Sequence, residues 1–202
     1  MFLSQLNLDR MNRHAMRLVA DVYSLHQGVM SGFMEYPGNF RVLFRVEPEV
    51  RDRILRVLVQ SPVRPSWEKF GGDCRGFLEA RVKEFHPALP AGGLFQFRLR
   101  ANPTVTRNGK RLGLVRDDVL QDWLRRKEEK TGIRFRSVVA VDEGYLSGTK
   151  RTEASQFKVN IKTVRFEGVL QVADPELVRG TICSGIGSGK AFGCGLLSLA
   201  RF

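Results

Sequence analysis

Between Gly185 and Leu199 the chain reads Gly-Ile-Gly-Ser-Gly-Lys-Ala-Phe-Gly-Cys-Gly-Leu-Leu-Ser-Leu, and five of its first eleven residues are glycine. Glycine loses more backbone freedom on folding than any other residue, so this density requires a backbone path that other residues resist. Two readings account for it. The segment is a tight turn between packed elements. Alternatively, its successive N–H groups line a concavity for an anion such as phosphate, with Lys190 at the centre. Gly185, Gly187, Gly189, Gly193, Gly195 and Lys190 are therefore site candidates under the second reading. Leu196, Leu197 and Leu199 then return to a core as a strand. A nucleotide P-loop is excluded. That motif needs glycine six residues before its lysine and Ser or Thr directly after it, where this chain has Ser184 and Ala191.

The formal net charge of the 202 residues is +12, and it is unevenly placed. Residues 98–165 hold 17 basic and 8 acidic side chains, against 13 and 10 in residues 1–97 and 3 of each thereafter. A localised basic field is the footprint of nucleic-acid binding. The basic stretch is not one amphipathic helix, and no apolar run reaches membrane-spanning length, so no membrane partner is expected. Cys74, Cys183 and Cys194 form no C-x-x-C pair, and His14, His26 and His86 fall at no zinc-ligand spacing. The chain thus reads as a reduced, cytoplasmic protein with cysteines packed as small hydrophobes, and no metal or other cofactor is implied.

Residues 2–8 alternate like a strand. Ala15, Leu18, Val22, Leu25 and Val29 recur at helical spacing and predict a helix over 12–33. Residues 40–46 read as a strand, and 54–60 as a strand or short helix. Phe77 to Phe85 fits either element. Phe95, Phe97 and Leu99 alternate with Gln96, Arg98 and Arg100, a strand buried on one face. Asn108-Gly109 marks a hairpin. A helix over 117–130 follows, with Asp117, Asp118 and Asp122 early and bases late, as the helix dipole prefers. A strand over 133–141, a flexible loop over 144–155, a long strand or hairpin over 156–172 and a short helix over 174–183 complete the chain. This order suits an α+β fold of two tandem ferredoxin-like (RRM-like) domains, 1–103 and 104–202, the second carrying the glycine-rich loop 185–195.

On the predicted first helix, Tyr23 and His26 lie one turn apart, beside the apolar stripe. His26 is either a packed interfacial histidine or a proton-transfer group, since imidazole titrates near neutrality. Metal-independent RNA cleavage needs a base for the ribose 2′-hydroxyl, an acid for the departing 5′-oxygen and charge stabilisation at phosphorus. Tyr23 with His26 suffices chemically, and the residues leave open which one is the base. Candidates to hold RNA are Arg98, Arg100, Arg107, Lys110, Arg111, Lys150, Arg151, Lys158, Lys162 and Lys190. Most would contact phosphate, which gives affinity with little sequence information. No convergent carboxylate cluster supports a two-metal nuclease.

Tyr23-Ser-Leu-His26-Gln27-Gly28, Phe97-Arg-Leu-Arg-Ala-Asn-Pro103, Phe166-Glu-Gly-Val-Leu170 and the glycine-rich segment, in this order, resemble the CasE (Cse3) family of CRISPR repeat-processing endoribonucleases. The regions 62–93 and 144–155 do not share in the resemblance. It implies two ferredoxin-like domains. It implies an enzyme, monomeric when free, that cuts a CRISPR repeat hairpin at the 3′ base of its stem and leaves a 2′,3′-cyclic phosphate without metal. Tyr23 and His26 match the catalytic positions. The processed RNA and the other subunits of the Cascade complex would be the partners. A non-catalytic RNA-hairpin-binding subunit is the alternative.

Overall fold

A computed structural model of the chain describes residues 1–34, 40–48, 52–151 and 156–201, with the backbone alone at 110, 111, 150, 151 and 156. The chain divides into two compact units. The first comprises 1–86, 146–161 and 191–193, the second 87–145, 162–190 and 194–202.

In the first unit, β1 (Phe2–Asp9), α1 (Arg13–Ala20), α2 (Val22–Ser31), β2 (Leu43–Val46), β3 (Ile54–Ser61), α3 (Glu68–Asp73) and β4 (Phe77–Glu84) follow in order. The antiparallel sheet runs β2-β3-β1-β4, which is the ferredoxin-like arrangement. Leu6, Leu8, Val57 and Val59 on the two central strands meet Leu25, Val29 and Phe33 in one core. The ambiguous 77–85 stretch is an edge strand with four exposed residues. Its weak alternation follows from having little to bury, and its pairing with β1 decides its conformation.

The predicted helix over 12–33 is two helices. Asn12 caps α1, its Oδ1 accepting from the His14 and Ala15 amides at 2.9 and 3.3 Å. Asp21 breaks the run with extended backbone (φ −104°, ψ 106°) and caps α2, accepting from the Ser24 amide at 2.8 Å. Short acceptor side chains favour this position because they satisfy amides that a helix start leaves unpaired. The apolar stripe is continuous across the break, with Ala15, Val22, Leu25 and Val29 all buried.

The second unit carries β5 (Leu94–Ala101), the ribbon β6–β7 (Thr104–Arg107, Lys110–Gly113), α4 (Asp117–Arg125), α5 (Glu128–Thr131), α6 (Pro175–Ser184) and β10 (Leu197–Ala200), with most of β8 (Ile133–Arg151) and β9 (Gln156–Val172). The sheet order β10-β5-β9-β8 repeats the first arrangement, so the tandem ferredoxin-like reading holds. The boundary expected near 103 differs from this division. Leu94–Ala101 pairs with β9 and β10 and belongs to the second unit. Trp123 of α4 stacks on Phe166 at 5.9 Å, and Phe97 meets Phe135 at 5.1 Å, on the sheet face buried under the helices. Asn108 and Gly109 form the predicted hairpin with φ of 50° and 73°.

Two further expectations change. The flexible loop over 144–155 is strand as far as Arg151, residues 152–155 lying outside the described ones. Gly144 and Ser147 signal a loop by composition, but the Thr163 hydroxyl donates to the Gly144 carbonyl at 3.3 Å and the Ser147 hydroxyl to Asn160 Oδ1 at 3.4 Å. Cys183 is exposed, while Cys74 and Cys194 are buried as expected. No helix among the described residues is long and apolar enough to cross a membrane.

Burial disfavours the charge on Asp21, but amide donors from Ser24, Thr149 and Tyr23 outweigh it and hold the carboxyl below its usual range. Its stabilisation is therefore present above the unfolded carboxylate value of about 3.9 and is lost as pH falls through the folded value. Asp21→Ala should cost about 1 kcal/mol at neutral pH, a fall in Tm of about 2–4 °C for a chain of this size. Thermal melts across pH should show the gap from wild type narrowing below about pH 4.

Candidate active site

Helix α2 places Tyr23 and His26 one turn apart, both half-buried, on the flank of a stripe formed by Val22, Leu25 and Val29. Strand β2 brings Phe44 beneath the imidazole, stacked at 6.4 Å between ring centroids and 20° between planes. Phe192 meets His26 edge-on at 6.2 Å and 60°. Burial alone lowers the His26 pKa from 6.5, because the apolar surround disfavours imidazolium. At neutral pH the ring is thus uncharged and can accept a proton.

The N-terminal end of α2 is fastened to the segment 146–161 of the same unit. The Thr149 amide donates to Asp21 Oδ2 at 2.9 Å, so one carboxylate both caps the helix and holds the strand. Gly148 makes this approach possible. A Cβ there would lie 2.9 Å from the Tyr23 nitrogen and 2.9 Å from Val22 Cγ2, closer than real contacts allow. Asp21, Phe44, Gly148 and Phe192 thus shape the site, and none was singled out from sequence. Asp21 carried a readable signal as an acceptor ahead of helical spacing, but the uninterrupted apolar stripe masks it. The other three become visible only when distant segments meet.

The glycine-rich segment is a turn by its hydrogen bonds. All five site glycines have positive φ, between 73° and 91°. The Gly185 amide donates to Thr181, Ile186 to the Gly195 carbonyl, Cys194 to Gly189 and Gly195 to the Arg100 carbonyl, at 2.7 to 3.3 Å. These four donors serve the fold. At Gly195 a Cβ would sit 3.1 Å from both the Ile186 carbonyl oxygen and Lys190 Cγ, a tight approach at a φ of 91° that side chains resist. Lys190 is half-buried and opens the 3-10 turn Lys190–Phe192.

The candidate RNA-binding cations divide by environment. Arg98 pairs with Glu167 directly across the β5–β9 ladder. Arg100, 8% exposed, donates to Glu143 at 2.5 Å, and Arg165 bridges Glu143 and Glu167 at 3.0 and 2.5 Å. Lys162 is buried to 8% exposure, 2.5 Å from Asp142 and 5.1 Å from the Tyr145 ring centre. Removing one partner from a buried pair costs about 3–5 kcal/mol, so Arg100 is not freely available to an outside phosphate. The cross-strand register that creates these pairs is invisible in composition. Arg107 on the ribbon and Lys158 on β9 are exposed. The side chains of Lys110, Arg111, Lys150 and Arg151 lie outside the described ones.

The chain is similar along its whole length to proteins of known name. It is 34% identical over 214 residues to the CRISPR-associated endoribonuclease Cse3 of Thermus thermophilus, covering 99% of this chain and 100% of the relative. It is also 34% identical over 196 residues to the CRISPR system Cascade subunit CasE of Escherichia coli K12, covering 89% of this chain and 92% of that one. The solved structure of the CRISPR endoribonuclease Cse3 bound to a 19-nucleotide RNA superposes with a TM-score of 0.85 at 33% identity, covering 100% of each chain. The profile of the family described as CRISPR associated protein matches residues 1–201, and with these relatives it places the chain as a member of that CRISPR-associated family.

Proposed function

We propose that this chain is a metal-independent endoribonuclease that binds the hairpin of a CRISPR repeat transcript and cuts it once, at the 3′ base of the stem. The carrying observation is a half-buried His26 flanked by Phe44 and Phe192, one turn from Tyr23, in a chain 34% identical throughout its length to an endoribonuclease. His26 takes the proton from the ribose 2′-hydroxyl, since burial leaves its ring in the acceptor form at neutral pH. The 2′-oxygen bonds to phosphorus as the bond to the 5′-oxygen breaks. Tyr23 gives its proton to that departing oxygen, and exchange with solvent restores both side chains. One proton is taken and one returned, leaving a 2′,3′-cyclic phosphate and a 5′-hydroxyl.

The exposed Arg107 and Lys158 hold stem phosphates, together with Lys110, Arg111, Lys150 and Arg151. Arg98 and Arg100 act through the charged wall they form with Glu143 and Glu167, and Lys162 through its separate pair with Asp142. Such contacts give affinity that falls with salt. The processed RNA stays bound, and the protein, a cytoplasmic monomer when free, joins the other Cascade subunits.

With repeat hairpin RNA in EDTA, wild type is expected to cut once, whereas His26→Ala should bind with unchanged affinity and cleave about 100- to 10,000-fold more slowly. Tight binding by wild type without any cutting would replace the enzyme with an RNA-binding subunit. RNA carrying a single 2′-deoxy nucleotide before the scissile phosphate should bind normally and stay intact, and its cleavage would exclude 2′-hydroxyl attack. The pH profile of kcat/KM reports the free enzyme. It should lose rate on the acid side only below pH 6.5, where the depressed His26 pKa lies, and a rate that rises on acidification would make His26 the acid instead.

A further inference from the structure

We infer that the glycine-rich segment serves the nuclease centre by presenting Phe192 edge-on to His26, which makes Phe192 a positioning residue for the proton transfer. The inference rests on the catalytic assignment of His26 proposed above and adds a role for a motif that this assignment leaves unused. Three features carry it. Residues 191–193 are the only part of the glycine-rich segment that groups with the first compact unit, where His26 and Phe44 also lie. Within that unit, the Phe44 ring lies nearly parallel to the imidazole at 6.4 Å between centroids, and the Phe192 ring meets it edge-on at 6.2 Å and 60°, so the two aromatics flank it from different directions. Edge-on and offset ring pairs are the favoured aromatic geometries, and they fix orientation as well as exclude water.

The backbone around Phe192 is built for this placement. The 3-10 turn Lys190–Phe192 lies between Gly189 (φ 74°) and Gly193 (φ 84°), and the Cys194 amide closes it onto the Gly189 carbonyl at 3.3 Å. Left-handed residues on both sides reverse the chain twice within a few positions. Gly193 is itself seated on Phe44, since a Cβ added there would lie 3.5 Å from Phe44 Cε2. The turn therefore touches both the histidine and the ring beneath it.

Ionisable groups on the elements around His26 do not account for its neutrality. On α2 the nearest are Tyr23 and the capping Asp21, which is engaged with amides. Beside Phe44 stands Arg45, bonded to Glu47 at 2.6 Å, and Lys190 begins the turn. Burial is what lowers the imidazole pKa, and the Phe192 ring lies edge-on beside it at 6.2 Å.

The test compares wild type, Phe192→Ala and Phe192→Leu by NMR titration of His26 in the free protein, by single-turnover cleavage of the repeat hairpin in EDTA and by RNA affinity. Phe192→Ala should raise the His26 pKa toward 6.5, shift the acid limb of kcat/KM with it and slow cleavage about 10- to 100-fold through lost orientation. Affinity for the RNA should not change. Phe192→Leu keeps the apolar cover without the ring edge, so it should restore the titration and recover only part of the rate. This variant also carries the test should the alanine form not fold. An unchanged titration and rate in either variant, or a loss of affinity matching the loss of rate, would overturn the inference. His26→Ala cleaving like wild type would instead sink the catalytic assignment, and the titration would still report whether Phe192 controls the ring.

Discussion

A single carboxylate organises the candidate centre. Asp21 accepts from the Ser24 amide with one oxygen and from the Thr149 amide with the other. The first bond starts α2, and the second fixes Thr149 of β8 at the same point of the same unit. Tyr23 and His26 are positioned because the helix beginning at Val22 can start nowhere else. Starting one residue later would put Val22, which has no side-chain acceptor, at the cap and would leave a helix amide unpaired.

Around that helix the chemistry is set by what is excluded. Aromatic rings from β2 and from the glycine-rich turn surround the imidazole. An uncharged histidine suits proton acceptance, and its neutrality comes from burial and not from a neighbouring charge. The family to which the chain belongs includes a named endoribonuclease of the same fold, matched from end to end.

The basic excess of residues 98–165 has two fates. Part of it is neutralised internally, where Arg98, Arg100 and Arg165 alternate with Glu143 and Glu167, and where Lys162 meets Asp142. This wall keeps one face of the second sheet charged and ordered while Trp123 and Phe166 fill the other. Among the described cations, Arg107 and Lys158 face solvent, where a polyanion can reach them. Net charge alone therefore overstates the number of cations free for a partner.

Several elements and their buried faces were legible in the residues alone. Helical and strand spacing in Val22-Leu25-Val29 and Phe95-Phe97-Leu99 records burial directly, and Asn108-Gly109 records a turn, because these are local constraints that the residues themselves impose. The sequence also placed Tyr23 and His26 on one flank of a helix. The strand character of 144–151 and the assignment of Leu94–Ala101 to the second sheet were decided by partners far away in the chain. So were the pairing of Arg98 with Glu167 and the approach of Phe192 to His26. Burial and charge neutralisation depend on which distant residues meet, and no local pattern holds that information.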